Sequence, residues 1–257
     1  MKYRWAAVVC AAVLGGIAMP ARADVSALYE VAQSDEEFDD FEQAIDFAMT
    51  IEVNDAGNAR IHLTGRSSYF LIRDDEVYSV RRGIDGPYAE KLDDLEAVIE
   101  NAGETGGISL ELLDQFPKIE LVRKGKVRVG QWTGTGYAQR DFDGAVGRPE
   151  LVLSKDETLP EIGKAFARLA DGRFGSIRTL SLVNLFGGFG LYDPEIRKLL
   201  QDGTPVRINM LELAEISNRP IDPARLELPA RVLTREEIEQ QNKPFEWAPA
   251  FDRQPKG

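Results

Sequence analysis

Between residues 47 and 81 the chain alternates apolar and polar positions in short runs separated by turn-forming residues. Phe47, Met49, Ile51 and Val53 alternate with Ala48, Thr50 and Glu52, the two-residue period of a strand with one buried face. Asn54-Asp55-Ala56-Gly57-Asn58 has the composition of a turn. Ala59, Ile61 and Leu63 then alternate with Arg60, His62 and Thr64. A third strand, Tyr69-Phe70-Leu71-Ile72, is apolar at every position, so both of its faces need cover. Asp74-Asp75-Glu76 is the next turn and Val77 to Arg81 a fourth strand.

Outside this meander the period changes. Ser34 and Glu37 form a capping box, and Phe38, Phe41 and Ile45 follow at helical spacing, with Asp35, Glu36, Asp39, Asp40 and Glu42 on the other face. Val25, Ala27, Tyr29 and Val31 alternate like a strand, but the run is short. Gly83 to Pro87 breaks the pattern, and Leu92, Leu95, Val98 and Ile99 mark a helix ended by Asn101 and Gly103. Lys118 to Lys124 and Lys126 to Trp132 read as a hairpin around Gly125, with further strands over Thr135 to Phe142 and Glu150 to Leu153. Leu159 to Leu169 predicts a helix with Ile162, Ala165, Phe166 and Leu169 on one face. Asp193-Pro194 opens a short helix. Thr204 to Glu212 reads as one strand, and Pro220, Pro223 and Pro229 punctuate the segments after it. Strands dominate and a few helices interrupt them, which is α+β and not alternating βαβ.

The ends set an address. Lys2 and Arg4, an uncharged apolar run from Ala6 to Met19, and Ala21-Arg22-Ala23 together describe a secretory signal over residues 1–23. The apolar run is shorter than the ~20 residues that span a bilayer. The expectation is a soluble periplasmic chain starting at Asp24, with one domain over 24–242 and a Pro-rich, charged tail over 243–257. Cys10, the only cysteine, lies inside the leader, so the exported chain has no disulfide and relies on its core. The net charge is −12, and loss of Lys2, Arg4 and Arg22 leaves 28 cations against 43 acids, or −15. That balance disfavours nucleic acid and anionic membrane surfaces as partners.

No catalytic pattern is present. His62, the only histidine, sits on the polar face of a strand with no orienting partner in the sequence. One histidine and no exported cysteine make a zinc site unexpected. Asp141-Phe142-Asp143-Gly144 starts like a calcium loop but has Val152 where the last ligand belongs. Gly134-Thr135-Gly136 lacks the third glycine and the following helix of a dinucleotide loop. No catalytic residue, metal ligand or cofactor is therefore expected, and the chain is read as a non-enzyme.

The strand "MTIEV", the turn, "NARIHL" and "YFLIRDDEVYSV" resemble uncharacterised exported proteins of Gram-negative bacteria. These in turn resemble the LolA/LolB-like lipoprotein-carrier superfamily. The resemblance covers about residues 45–100. It implies a curved antiparallel half-barrel with helices packed on the concave side, holding acyl chains between sheet and helices. The acidic stretch Asp35 to Glu42 and the low overall hydrophobicity depart from that family. The expected function is a binding or carrier protein for a lipid or an acylated protein, without stable membrane insertion. Its ligand-binding residues would be Met49, Ile51, Ile61, Leu63, Tyr69 and Leu71 in the meander. Leu185, Phe186 and Phe189, set among Gly187, Gly188 and Gly190, would either tuck against the sheet as core, as most apolar side chains do, or form a lid over the mouth of the half-barrel. The alternatives are an envelope scaffold without a small ligand and a hydrolase with an unmarked carboxylate site.

Overall fold

A computed structural model describes residues 24–32, 48–104, 120–140, 144–171 and 194–242. The predicted signal, the acidic helix over 34–45, the glycine-aromatic stretch 182–191 and the tail 243–257 lie outside these residues.

The fold is mixed α+β, and among the described residues it is built on one open sheet of twelve strands. Two meanders make it. The first runs through β1 (Val25–Val31), β2 (Ala48–Val53), β3 (Ala59–Leu63), β4 (Tyr69–Arg73), β5 (Glu76–Gly83) and β6 (Gly86–Lys91). The second runs through β7 (Leu121–Val129), β8 (Trp132–Gln139), β9 (Leu151–Ser154), β10 (Thr204–Ile208) and β11 (Leu211–Ser217). Antiparallel pairing of β1 with β11 joins them, and the two-residue β12 (Arg231–Val232) adds parallel to β6. The sheet does not close, so β12 and β7 are its edges.

Among the described residues four helices accompany the sheet: α1 (Leu92–Glu104), α2 (Pro160–Asp171), α3 (Pro194–Asp202) and α4 (Arg235–Asn242). Each helix with an apolar stripe buries it. Leu92, Leu95 and Val98 of α1 meet Ile238 of α4 and Leu233 just before it, and Ile162, Ala165, Phe166 and Leu169 of α2 join Ile196 and Leu200 of α3. All belong to one core with Ala27, Tyr29, Met49, Ile51, Ile61 and Leu63 of the first meander. Inside it the Tyr29 hydroxyl donates to the Pro205 carbonyl at 2.6 Å, and its ring meets Phe166 edge-on at 5.7 Å. Thr204 Oγ1 donates to the Leu159 carbonyl at 2.8 Å, anchoring the start of α2 to β10.

Several elements differ from the expectation, each for a local reason. Residues 121–129 form one long strand and not a hairpin at Gly125. Gly125 takes φ +83° at a register shift against β8, so it is a bulge, and the chain reverses at Gly130 (φ +54°). Residues 204–212 are not one strand: the chain turns at Asn209, φ +52°, and returns as β11. β6 is hidden in the sequence by its opening Gly86-Pro87, a breaker pair. α4 opens on a capping box, Thr234 with Glu237, that its low apolar content obscures. Glu237 N–H donates to Thr234 Oγ1 at 3.3 Å, and Thr234 N–H donates to the Glu237 carboxylate at 2.9 Å.

Candidate functional site

Cross-strand register assigns every side chain of the first meander to a face. Directly opposed residues point the same way, and Ala27, Ile51, Ile61, Phe70, Ser79 and Glu90 lie in one continuous row from β1 to β6. Ile51 and Ile61 belong to the helix-covered core, so the whole row lies on that face. A flanking row runs Val53, Ala59, Ile72 and Val77.

The character of this face changes along the row. Under α2, which touches β1, β2 and β4, Met49 and Ile51 are shut off from solvent and Ile61 and Leu63 nearly so. Past β4 the packing loosens: Phe70, Val77 and Tyr88 are only partly buried although they border the same core. That is where α1, which touches β5 and β6, takes over from α2. The row then ends in polar groups. Glu90 is fully buried, with its carboxylate 3.1 Å from Arg81 Nε, and Arg81 Nε also donates to Ser79 Oγ at 3.3 Å. The Arg81 side chain keeps 28% of its surface in water. An apolar seam that runs from Phe70 into a buried ion pair is amphiphilic along its length. Burying a carboxylate is expensive, and an ion pair seldom repays that cost as stability alone.

The nine residues expected to bind ligand fall into three groups. Met49, Ile51, Ile61 and Leu63 share the helix-covered face, where they are packed against core side chains. Tyr69 and Leu71 point to the opposite face and join a separate cluster with Val80, Ala89 and Leu226. Leu185, Phe186 and Phe189 lie outside the described residues. Phe70, Val77, Ser79, Arg81 and Glu90 were not singled out from the sequence. Phe70 sits in the same all-apolar strand as Leu71, and no alternation there says which of them faces the helices.

The second face of β4 is covered by the chain itself. After β11 the backbone crosses the sheet as a strap. Ile221 N–H donates to the Asp24 carboxylate at 2.7 Å, and a 3₁₀ turn over Pro223–Leu226, capped by Asp222, seats Leu226 on Leu71. Arg73 Nη1 donates to the Leu226 carbonyl at 3.2 Å. Arg225 reaches Glu52 at 2.9 Å, and Arg60, 3.5 Å from the same carboxylate, lies 4.3 Å over the Tyr69 ring. This cluster ties the strap down and leaves its charges mutually engaged. His62 Nε2 lies 3.0 Å from the Arg66 carbonyl, so the ring closes the β3–β4 turn. Gly134 and Gly136 lie inside β8, where a side chain would run into β9 or Val127. Among the described residues no cluster of His, Cys, Asp and Glu has the arrangement of a metal site, and no helix is long and apolar enough to cross a membrane. No family model, curated protein or solved structure matches this chain.

Proposed function

We propose that the chain is a non-catalytic binding or carrier protein of the periplasm, taking an apolar or acylated ligand between its sheet and its helices. The observation that carries this reading is the row from Ile61 through Phe70 to Ser79 and Glu90. It runs from sealed core, through half-open apolar side chains at the α1/α2 changeover, to a hydrogen-bonding end. An acyl chain laid along Phe70 and Val77 gains about 0.8 kcal/mol for each methylene removed from water, so contact alone holds it. Ser79 and the partly exposed Arg81 then supply donors for a polar head. On this reading the helix-covered face is the concave side of a half-barrel and the strap stiffens its back. The residues packed under α2 are scaffold, and the ligand site shifts from Ile51 and Ile61 toward Phe70, Val77 and Tyr88. The signal-like start and the acidic charge fit an exported protein that meets lipid one molecule at a time and not as a membrane surface.

Native mass spectrometry of the chain recovered from a Gram-negative periplasm tests this. The expected result is a folded protein carrying a co-purified lipid or acyl group that leaves on delipidation. A ligand-free spectrum, unchanged after incubation with fatty acid, phospholipid and acylated peptide, contradicts it.

A further inference from the structure

The sheet ends at β7, nine residues long and bonded to β8 along one side. Among the described residues no strand pairs with its other side. Alternate residues of an antiparallel edge strand turn their N–H and C=O groups outward, which is a template for one more strand. Four of the nine residues are cations, Arg123, Lys124, Lys126 and Arg128, and all four are exposed. Some exposed cations elsewhere meet carboxylates, Arg140 with Glu120 at 2.7 Å and Arg231 with Glu237 at 3.4 Å. Among the described residues the β7 four meet none, although acids outnumber bases 43 to 31 in this chain. Arg128 Nε donates to the Gly130 carbonyl at 3.0 Å and Lys124 Nζ to the Val146 carbonyl at 3.4 Å, which occupies one donor on each and leaves the charges uncompensated.

We propose that β7 is a docking edge for an extended acidic segment of another protein, which adds to the sheet as a further strand. A second copy of β7 is excluded as the occupant, because edge-to-edge pairing would set Lys and Arg against Lys and Arg. The same charges draw in a strand of carboxylates. Lys126 and Arg128 leave one face of β7 while Val127 and Val129 leave the other. The fitting partner therefore alternates Asp or Glu with apolar residues. Main-chain hydrogen bonds supply affinity and the alternate side chains supply selectivity, as in other strand-addition complexes. The bulge at Gly125 limits the regular ladder to the Lys126–Val129 end, so docking centres there.

The test titrates the full-length protein into a short fluorescent peptide of alternating Glu and Val and follows anisotropy. A Lys–Val peptide and a Glu–Val peptide N-methylated on alternate amides serve as controls. The proposal expects binding of the Glu–Val peptide alone, lost on N-methylation, and weakened at least about tenfold by Lys126→Glu with Arg128→Glu. Both substitutions are on exposed side chains, and an unchanged melting curve confirms that the variant is folded. Equal binding of the N-methylated peptide would show a merely electrostatic contact and overturn strand addition. No binding of the Glu–Val peptide, or equal binding by anionic phospholipid vesicles that Glu–Val fails to displace, would overturn the acidic-strand partner.

Discussion

At Leu71 a single side chain decides which reading of the meander holds. It is sealed from solvent beneath Leu226, on the face away from the helices. Thr50, on that same face but half exposed, has no such cover. A charge at Leu71 enters a dry cluster with no partner, so Leu71→Asp should cost several kcal/mol, whereas Thr50→Asp should cost under about 1 kcal/mol. Urea melts of the two variants compare them directly, and equal losses would mean that the strap does not close this face. Tyr29 gives a second residue-scale test. Burial holds its hydroxyl well above the ordinary 10.0. A raised pKa in the folded state means that its stabilising contribution is complete below about pH 10. Above that pH the unfolded chain releases a proton that the folded chain keeps, and stability falls by about 1.4 kcal/mol per pH unit. Tyr29→Phe removes the bond to Pro205, costing about 1 kcal/mol at neutral pH, and also removes this alkaline loss. Denaturant melts of both proteins from neutral pH to about pH 11 should therefore converge and then cross. A constant gap would show that the hydroxyl is not buried.

Elements were legible where one face alone is buried, because the alternation then fixes both type and orientation. β2 and β3 are of this kind, as is α2, with Ile162, Ala165, Phe166 and Leu169 all inward. The all-apolar β4 showed that both faces need cover but not which residue meets which cover, and so Leu71 was grouped with Ile61 when Phe70 belongs there. Glycine misled in β7, since in sequence a bulge glycine and a turn glycine look alike. The Asn209 turn was missed because apolar residues continue on both sides of it. The seam at Phe70, Val77 and Glu90 was not legible at all: it arises from register across four strands and from where two helices, far apart in the chain, each stop. At Gly163 the packing of one element is open to test. A methyl added there meets the Thr204 side chain and lies 3.3 Å from its Cα. Alanine should gain about 1 kcal/mol of helix propensity, yet displacing Thr204 from its bond to Leu159 and pushing α2 off β10 should cost more, about 1–3 kcal/mol. Gly163→Ala is expected to lower the melting temperature, and a rise would mean that α2 does not rest on β10 here.

On the scale of the whole molecule, two meanders meet at the β1–β11 pair, which joins Val31 to Leu211 and Ser26 to Ser217, from opposite ends of the described chain. The strap then returns from β11 to β6, so the last strand lies beside the first meander's edge. Among the described residues this topology leaves one face to the helices, half of the other to the strap, and one long edge without a paired strand. The α+β class follows from periodicity alone. The order of twelve strands does not, because nothing local in β1 or β11 says that they pair. The proposed function requires that the seam over Phe70 and Val77 takes an acyl chain while the sealed core under α2 does not. It is tested most directly by titrating delipidated protein with a fluorescent fatty acid and comparing wild type with Val77→Asp and with Met49→Leu. Val77→Asp, at a partly buried position, should reduce affinity at least about tenfold while the protein stays folded. Met49→Leu, a volume-conserving change in the sealed core, should leave affinity unchanged. Undiminished binding by folded Val77→Asp, or no saturable binding by wild type, would contradict the account.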